Sequence, residues 1–382
     1  MATTCRRSWT GSGPVENHAV SALNILVLNS GSSTLKFGLY RVDSAGAEVL
    51  LAETVSTAED PDAMNRVAPV LAASAMPAPD AIGHRIVHGG PALRQHCRID
   101  DAVLRQLQAA AAFAPLHTPA ALAVIRFAQA HFPGAPQVAC FDTQFHAHLP
   151  DVARVLPVAR ELQAQGIQRY GFHGLSLESI VRQLGPDLPE RLVVAHLGNG
   201  ASITALKAGR SIDTSMGLTP SGGVIMGTRS GDLDPGVLVY LLREKKFDAA
   251  KLEALVDKRS GLLGISGVSG DMRRLREAAA SNSDARLAIE MFCYSVRKQV
   301  AAMIAVLDGV DILVFTGGIG ENDAQVRAEV CRGLSWIGVS LDEPRNRSAG
   351  NPVSDSASRC QVHVLPSQED EQIARHAWAL LA

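Results

Sequence analysis

The sequence predicts an α/β fold of two duplicated domains facing one cleft, and three observations predict it. At 382 residues the chain is too long for one typical domain and suits two. Asn24–Tyr40 reads as an apolar strand, a turn of small donor-rich residues (Asn29, Gly31, Ser32, Ser33, Thr34) and a returning strand. Arg191–Leu206 repeats that plan, with Gly198, Asn199, Gly200 and Ser202 in its turn. Such a tip can hold phosphate oxygens by amides and hydroxyls. Two copies half a chain apart put two such turns on one cleft.

The remaining elements follow in order. Met1–Ala22 is polar and lacks the apolar core of a signal peptide, so it reads as a disordered extension. Ala81–Gly90 is a strand carrying Arg85 and ending at His88-Gly-Gly. Asp101–Ala112 has helical periodicity, APLHTP breaks it, and Ala120–His131 is the next helix. Gln137–Phe141 is an apolar strand ending at Asp142, where α/β folds place ligand groups. Leu175–Leu184 is a helix preceded by His173 between glycines. Val237–Arg243 and Ala249–Lys258 read as helices, Ser260–Leu275 as a Gly/Ser loop, and Asp284–Leu307 as a long amphipathic helix. Val310–Phe315 is a buried strand, Gly317, Gly318 and Gly320 form a tight turn, and Asn322 caps the helix Ala324–Gly333. A strand at Gln361–Pro366 and a helix from near Ser367 close the chain.

The stretch from Asp213 to Asp234 is the longest break in this pattern. Its glycines surround one cation, Arg229, and its apolar residues (Met216, Leu218, Val224, Ile225, Met226) favour packing over disorder. An arginine among glycine amides suits a phosphate or a carboxylate; a structural Ω-loop with a salt-bridged arginine is the alternative. Composition excludes other classes. Net charge is −2 with no basic run, and aromatics are 4%, which offers no nucleic-acid surface and no acidic-membrane affinity. Six scattered cysteines fit reduced thiols and a cytoplasmic location. No apolar run reaches membrane-spanning length.

Ten motifs then stand in one order: NSGSSTLKF, HRIVHGG, APLHTP, FDTQFH, RYGFHG, HLGNGAS, DTSMGLTP with MGTRSGDLDP, SGVSGD, FTGGIGEN and LPSQED. In these the chain resembles the acetokinase family, of the superfamily that includes sugar kinases, heat-shock ATPases and actin. The resemblance implies two actin-like (ribonuclease H-like) domains: residues 23–142, completed by the C-terminal helix 369–382, and residues 143–368, which bind nucleotide and form a homodimer. It implies reversible phosphoryl transfer from ATP to acetate, with Mg²⁺, or Mn²⁺ in its place, and with ATP/ADP as co-substrate. By the same resemblance, Asn29 and Glu369 serve the metal. Arg85, His117, Asp142, His173 and Arg229 are the catalytic set. Val87, Leu116, Phe172 and Pro220, with Arg85, line the acetate pocket. Lys36, His196, Leu197, Gly198, Asn199, Gly200, Asp271, Met272, Arg273, Gly318, Ile319, Gly320, Glu321 and Asn322 lie on the nucleotide side.

The chain departs from the family pattern at Leu175 and Leu177, which replace a hydroxyl and a histidine, at Ser221-Gly222-Gly223, and at Ser367-Gln-Glu-Asp, where Glu369 is preferred over Asp370. Three other readings stay open: a propionate or other short-chain acyl kinase, a non-catalytic nucleotide-binding protein of the superfamily, and a nicotinamide dehydrogenase suggested only by TGGIG.

Overall fold

A computed structural model describes residues 22–31, 34–56, 63–115 and 117–382. The predicted N-terminal extension therefore lies, Ala22 apart, outside the described residues, as do Ser32, Ser33 and Leu116. Among the described residues the strands form two sheets. The first holds β1 (Leu23–Ser30), β2 (Thr34–Val42), β3 (Ala47–Ser56), β4 (Ala81–Ile86), β5 (Cys97–Arg98) and β6 (Gln137–Phe141) in the order β3-β2-β1-β4-β6-β5. The second holds β7 (Arg191–Leu197), β8 (Ala201–Lys207), β9 (Arg210–Thr214), β10 (Ile312–Thr316) and β11 (Gln361–Val364) in the order β11-β10-β7-β8-β9.

Apart from β5, an antiparallel edge strand of the first sheet, the two sheets share one topology. In each, three antiparallel strands are followed by two strands added in parallel beside the first: β1 pairs β4 and β4 pairs β6, while β7 pairs β10 and β10 pairs β11. The repeated hairpin of the sequence is thus part of a repeated sheet, and the duplicated α/β reading is borne out.

The helices are α1 (Val67–Ala73), α2 (Asp101–Ala109), α3 (Thr118–His131), α4 (Asp151–Arg154), α5 (Arg160–Ala164), α6 (Gly174–Leu184), α7 (Pro235–Glu244), α8 (Ala249–Lys258), α9 (Gly261–Ser266), α10 (Met272–Ala278), α11 (Ser283–Leu307), α12 (Gly317–Asn322), α13 (Ala324–Arg332), α14 (Glu343–Ser348) and α15 (Glu369–Leu381). Strand alternation sends side chains to opposite faces, and helices cover both. Leu26 and Leu28 pack with Val124 and Ala128 of α3, while Ile25 and Val27 pack with Ile373, Ala374 and Ala377 of α15. In the second sheet Val193, Ala195 and Leu197 share a core with α11, and Leu192 and Val194 pack on Leu177 and Ile180 of α6. Helix α6 also sends Leu175 into the first sheet's core. Leu175 and Leu177 are therefore packing residues, one for each half.

Two local expectations are corrected. Ser260–Leu275 is not a loop: it holds α9 and the start of α10, whose buried Leu262, Met272 and Leu275 were masked by interspersed Gly and Ser. Asp271 caps α10 by accepting from Arg273 N. Gly317–Asn322 is a short helix entered through Gly317 at φ +77°, and the cap of α13 is Asp323, not Asn322. Asn322 instead donates back to Gly318 O at 2.9 Å. The half-exposed edge strand β3 alternates too weakly to be read from its residues alone.

Candidate active site

The parallel strands of the first sheet end at one place, and their last residues make one wall of a cleft of about 430 Å³. Asn29 ends β1, Arg85 lies near the end of β4, and Asp142 follows β6. Arg85 donates to Asp142 through Nε at 3.1 Å and Nη2 at 2.6 Å, a forked, charge-assisted pair. Its Nη1 reaches Asn29 Oδ1 at 3.3 Å, and Asn29 Nδ2 donates to Asp370 Oδ1 at 2.6 Å. Burial pushes the Asp142 carboxyl up to about 6, although Arg85 pulls it down. Against burial, Arg85 holds Glu369 below the ordinary carboxylate range. Burial, with the nearby Glu369 charge, raises Asp370. The wall is a crowd of carboxylates around one guanidinium.

The second half supplies donors. His173 sits at φ +60° as the residue before α6, a left-handed conformation that turns its ring into the cleft. Its Nδ1 is 2.9 Å from Ser202 Oγ, and its ring stacks on His196 at 4.1 Å. His196 Nδ1 is 2.9 Å from Ser176 Oγ. Burial lowers His196 to about 4 and, helped by His196 and the two arginines, drives His173 well down, so both rings are neutral at pH 7. Arg229 reaches in from the long loop after β9. Its Nη1 donates to Pro220 O at 3.3 Å and its Nη2 lies 3.4 Å from His117 Nε2. Burial and the Arg229 charge lower His117 to about 4.

The loop is fixed, not loose. Asp234 caps α7, Asp232 accepts from Gly223 N at 2.7 Å, and Ser221 hydrogen-bonds Asp257. Gly223 adopts φ +91° with Ser215 atoms 2.9 Å from where a Cβ would stand, so the small residues there are a packing requirement. At Gly200 an added Cβ would meet Arg229 Nη1 at 3.1 Å and His173 Nε2 at 3.4 Å. Those two nitrogens converge on one spot beside Gly200.

The cleft brings together Asn29, Lys36, Arg85, Val87, His117, Asp142, Phe172, His173, His196, Gly198, Asn199, Gly200, Pro220, Arg229, Gly318, Glu321 and Glu369 of the expected residues. Leu116 lies outside the described residues. Leu197 and Met272 are core residues, and Asp271 pairs with Arg273 at 2.7 Å on the surface; none of these lines the cleft. Ile319, Gly320 and Asn322 also stand off it. Glu321 lines it, but its Oε1 accepts from Gly317 N and Ser367 N, both at 2.9 Å, which ties β10's turn to the start of α15. The sequence places Gly31, Thr34 and Gly317 in turns suited to phosphate without marking them individually, and it gives Ser367 and Asp370 no site role, yet all five line the cleft. Asp370 was passed over because adjacent acids at a helix start look alike in sequence, and only the fold puts both at one wall.

A family model described as the acetokinase family matches residues 51–375. A protein named acetate kinase from Methylocella silvestris is 41% identical over 396 residues, covering 94% of this chain and 98% of that protein. One of the same name from Heliobacterium modesticaldum is 44% identical over 310 residues, covering 79% of this chain and 78% of its own length. Among solved structures, a propionate kinase from Francisella tularensis aligns with TM-score 0.83 at 36% identity, covering 94% of this chain and all of that one. An acetate kinase from Porphyromonas gingivalis aligns with TM-score 0.81 at 34% identity and the same coverage.

Proposed function

Because the chain belongs to the acetokinase family, we propose that it transfers the γ-phosphoryl group of ATP reversibly to acetate, giving acetyl phosphate and ADP. The observation that carries this reading is the meeting of Arg85, Arg229, His117 and His173 in one cleft with Asp142 and Glu369. The acceptor is a carboxylate, ionised at neutral pH, so the site needs no strong base. It needs to hold two anions together and to stabilise charge on the transferring group. Arg229 and Arg85 supply positive charge from opposite walls. His173, neutral and held by Ser202, presents Nε2 beside Arg229 as a donor. Asp142 plays a different part. Both its oxygens are engaged by Arg85 and orient that fork, so we assign it orientation over proton transfer.

Val87, Phe172 and Pro220 give the acceptor's methyl group an apolar wall. A site of that kind rejects one further methylene by only about 1–3 kcal/mol, which makes propionate the poorer substrate. The glycine turns Gly198–Gly200 and Gly317–Gly318 line the cleft with small residues that let phosphate oxygens approach the backbone, although the amides of Gly198 and Gly317 already donate to Gly200 O and Glu321 Oε1. We assign Mg²⁺ to the wall of Asn29, Glu369 and Asp370. Its donors are all hard oxygens, and a dication would offset the burial, with the neighbouring Glu369 charge, that raises Asp370. When bound, Mg²⁺ neutralises phosphate charge. For this scheme the chain divides after Asp142, with residues 369–382 returned to the first half, since α15 packs on the first sheet.

We further assign a homodimer to the second half. No residue of α7 is buried, and Val237, Val239, Tyr240 and Leu242 stand 41–52% exposed, with Leu287, Met291 and Tyr294 of α11 also exposed. Among the described residues no helix is long and apolar enough to cross a membrane.

The test is to trap acyl phosphate as hydroxamate from ATP and Mg²⁺ with acetate, propionate and butyrate side by side. Acetate is expected to give the highest kcat/KM, and Arg229→Ala to lower kcat about 10³-fold. A preference for propionate moves the reading to the other acyl kinase. Product from none of the three acids refutes it.

A further inference from the structure

Helix α6 touches both walls of this site, through Asp142 O and His196 Nδ1, although only residues before it face the cleft. Its first amide, Gly174 N, donates to Asp142 O at 2.9 Å. Ser176, Ser179 and Arg182 follow at intervals of three, which puts them on one side of the helix. That side grips the start of α15. Ser176 Oγ is 3.0 Å from Ser367 Oγ, and Ser179 Oγ accepts from Gln368 N at 3.2 Å. Arg182 spreads its fork over the same turn: Nη2 to Gln368 Oε1 at 2.6 Å, Nη1 to Glu371 Oε1 at 3.0 Å, and Nε to Gln372 Oε1 at 3.3 Å. These contacts bracket Glu369 and Asp370 on both sides and touch neither. A turn further along α15, His376 Nε2 is 2.5 Å from Glu178 Oε2, again from α6.

Glu178 has a second imidazole beside it. His96 Nε2 lies 3.9 Å from Glu178 Oε2, is buried, and has no hydrogen-bond partner among the described residues; the two histidine rings stand 4.1 Å apart. The ligand atoms of His96, Glu178 and His376 fall within 4.8 Å of one another, the composition of a metal centre. One contact decides against that use. His96 Nδ1 accepts from Phe141 N at 3.0 Å, so the single proton of the neutral ring sits on Nε2, the atom a metal would need bare. That same contact ties the cluster to the residue before Asp142.

We propose that α6 is the element that aligns the two halves of the site, and that Arg182 and Glu178 are positioning residues holding the acids Glu369 and Asp370 against Asn29. This rests on the assignment of Mg²⁺ to that wall. Three consecutive acids open α15, and their mutual repulsion has to be overcome before two of them can share one wall. Arg182 joins Arg375 of α15 in drawing Glu371 away, and Glu178 pins the helix through His376. Because His173 precedes the same helix, the acids are held in register with the donor across the cleft.

The experiment uses the full chain and Mn²⁺ binding in the presence of ADP, read by electron paramagnetic resonance, beside kcat, KM and thermal melting. Arg182→Leu and His376→Leu should each weaken Mn²⁺ binding about tenfold and lower kcat, with the acetate KM within about twofold. His376→Gln, which keeps an N–H for Glu178, should restore wild-type binding. Should Arg182→Leu fail to fold, Arg182→Lys keeps one donor of the fork and is expected to show a smaller loss of the same kind. Unchanged Mn²⁺ binding in the leucine variants overturns the proposal, as does a fall in melting temperature with Mn²⁺ binding intact. Tight one-to-one Zn²⁺ binding lost in Glu178→Gln overturns it too, by making the cluster a metal site. The Mn²⁺ readout needs no turnover, so a wild type that binds Mn²⁺ but phosphorylates no acid refutes the function alone.

Discussion

The two hairpins of the repeat, β1–β2 and β7–β8, share a plan and differ in chemistry. The first ends at Asn29, whose neighbours are Asp370, Glu369, Asp142 and Arg85. The second ends at Gly198–Gly200, whose neighbours are His173, His196 and Arg229. One duplicated frame has become an acid wall and a donor wall. The backbone repeats because strand pairing and register fix it, while the tips face the cleft and are free to differ. The repeat supplies geometry, and the segments gathered around each tip supply the chemistry, carboxylates beside Asn29 and Arg229 with two neutral imidazoles beside Gly198–Gly200.

Glycine substitutions break the comparison most sharply. At Gly200 an added methyl meets Arg229 Nη1 at 3.1 Å and His173 Nε2 at 3.4 Å; at Gly31 it meets Thr34 O and Oγ1, both at 3.3 Å. The first displaces groups that act on the phosphoryl, and the second presses only on its own turn. Gly200→Ala makes those groups give by a few tenths of an ångström and is expected to lower kcat about tenfold, less than the roughly 100-fold of a 1 Å misplacement, and Gly31→Ala by less than about twofold. Equal losses in steady-state assays would mean that the two turns carry the same load.

A pH profile sharpens the contrast, because the walls titrate in different places. Asp142 is raised to about 6 by burial, while His117 and His196 are lowered to about 4. Between about pH 5 and 7 the donor wall holds one charge state and the acid wall does not. Protonating Asp142 removes the partner that orients Arg85, so kcat/KM should fall about tenfold per unit as pH drops below about 6 and stay flat above it. The sign for stability runs the other way. A carboxyl raised above its unfolded value of 3.8 contributes most below that value, and the contribution is lost as pH rises through about 6. Activity and this contribution to stability therefore oppose each other across pH 4–6. An activity profile flat down to pH 5 would remove Asp142 from the mechanism.

Much of this contrast is legible in the sequence, and for a physical reason. Strands, tips and the residues at strand ends are local patterns, so Arg85, Asp142 and the two turns can be read from alternation and glycine placement. The site is legible where a motif brings its own context, as in His173 or Gly198–Gly200. It is illegible where contacts join distant segments. Arg182 and Glu178 grip a helix nearly two hundred residues away, and Asp370 differs from Glu369 only in what the fold sets beside it. Glu321 is a related case, since its place in a glycine-rich motif implies a ligand while its carboxylate serves two backbone amides. The helices in Ser260–Leu275 were hidden for another reason: small residues carry little periodic signal even when they are helical.

The smallest expected effect isolates one support on the donor wall. Ser202 Oγ stands 2.9 Å from His173 Nδ1, and Ser202 is fully buried in β8. The pair orients a neutral ring whose other nitrogen faces the cleft beside Arg229. Ser202→Ala removes one hydrogen bond and leaves an imidazole nitrogen without a partner, at a cost of about 1 kcal/mol, or roughly fivefold. The loss should appear in kcat and leave the KM for ATP unchanged, because the ring's stacking on His196 at 4.1 Å still holds its plane. The acid wall is built differently: Arg85 is held by three contacts to one carboxylate, and a single lost hydrogen bond leaves the others in place. A change in KM for ATP with kcat intact would instead make Ser202 part of the nucleotide turn.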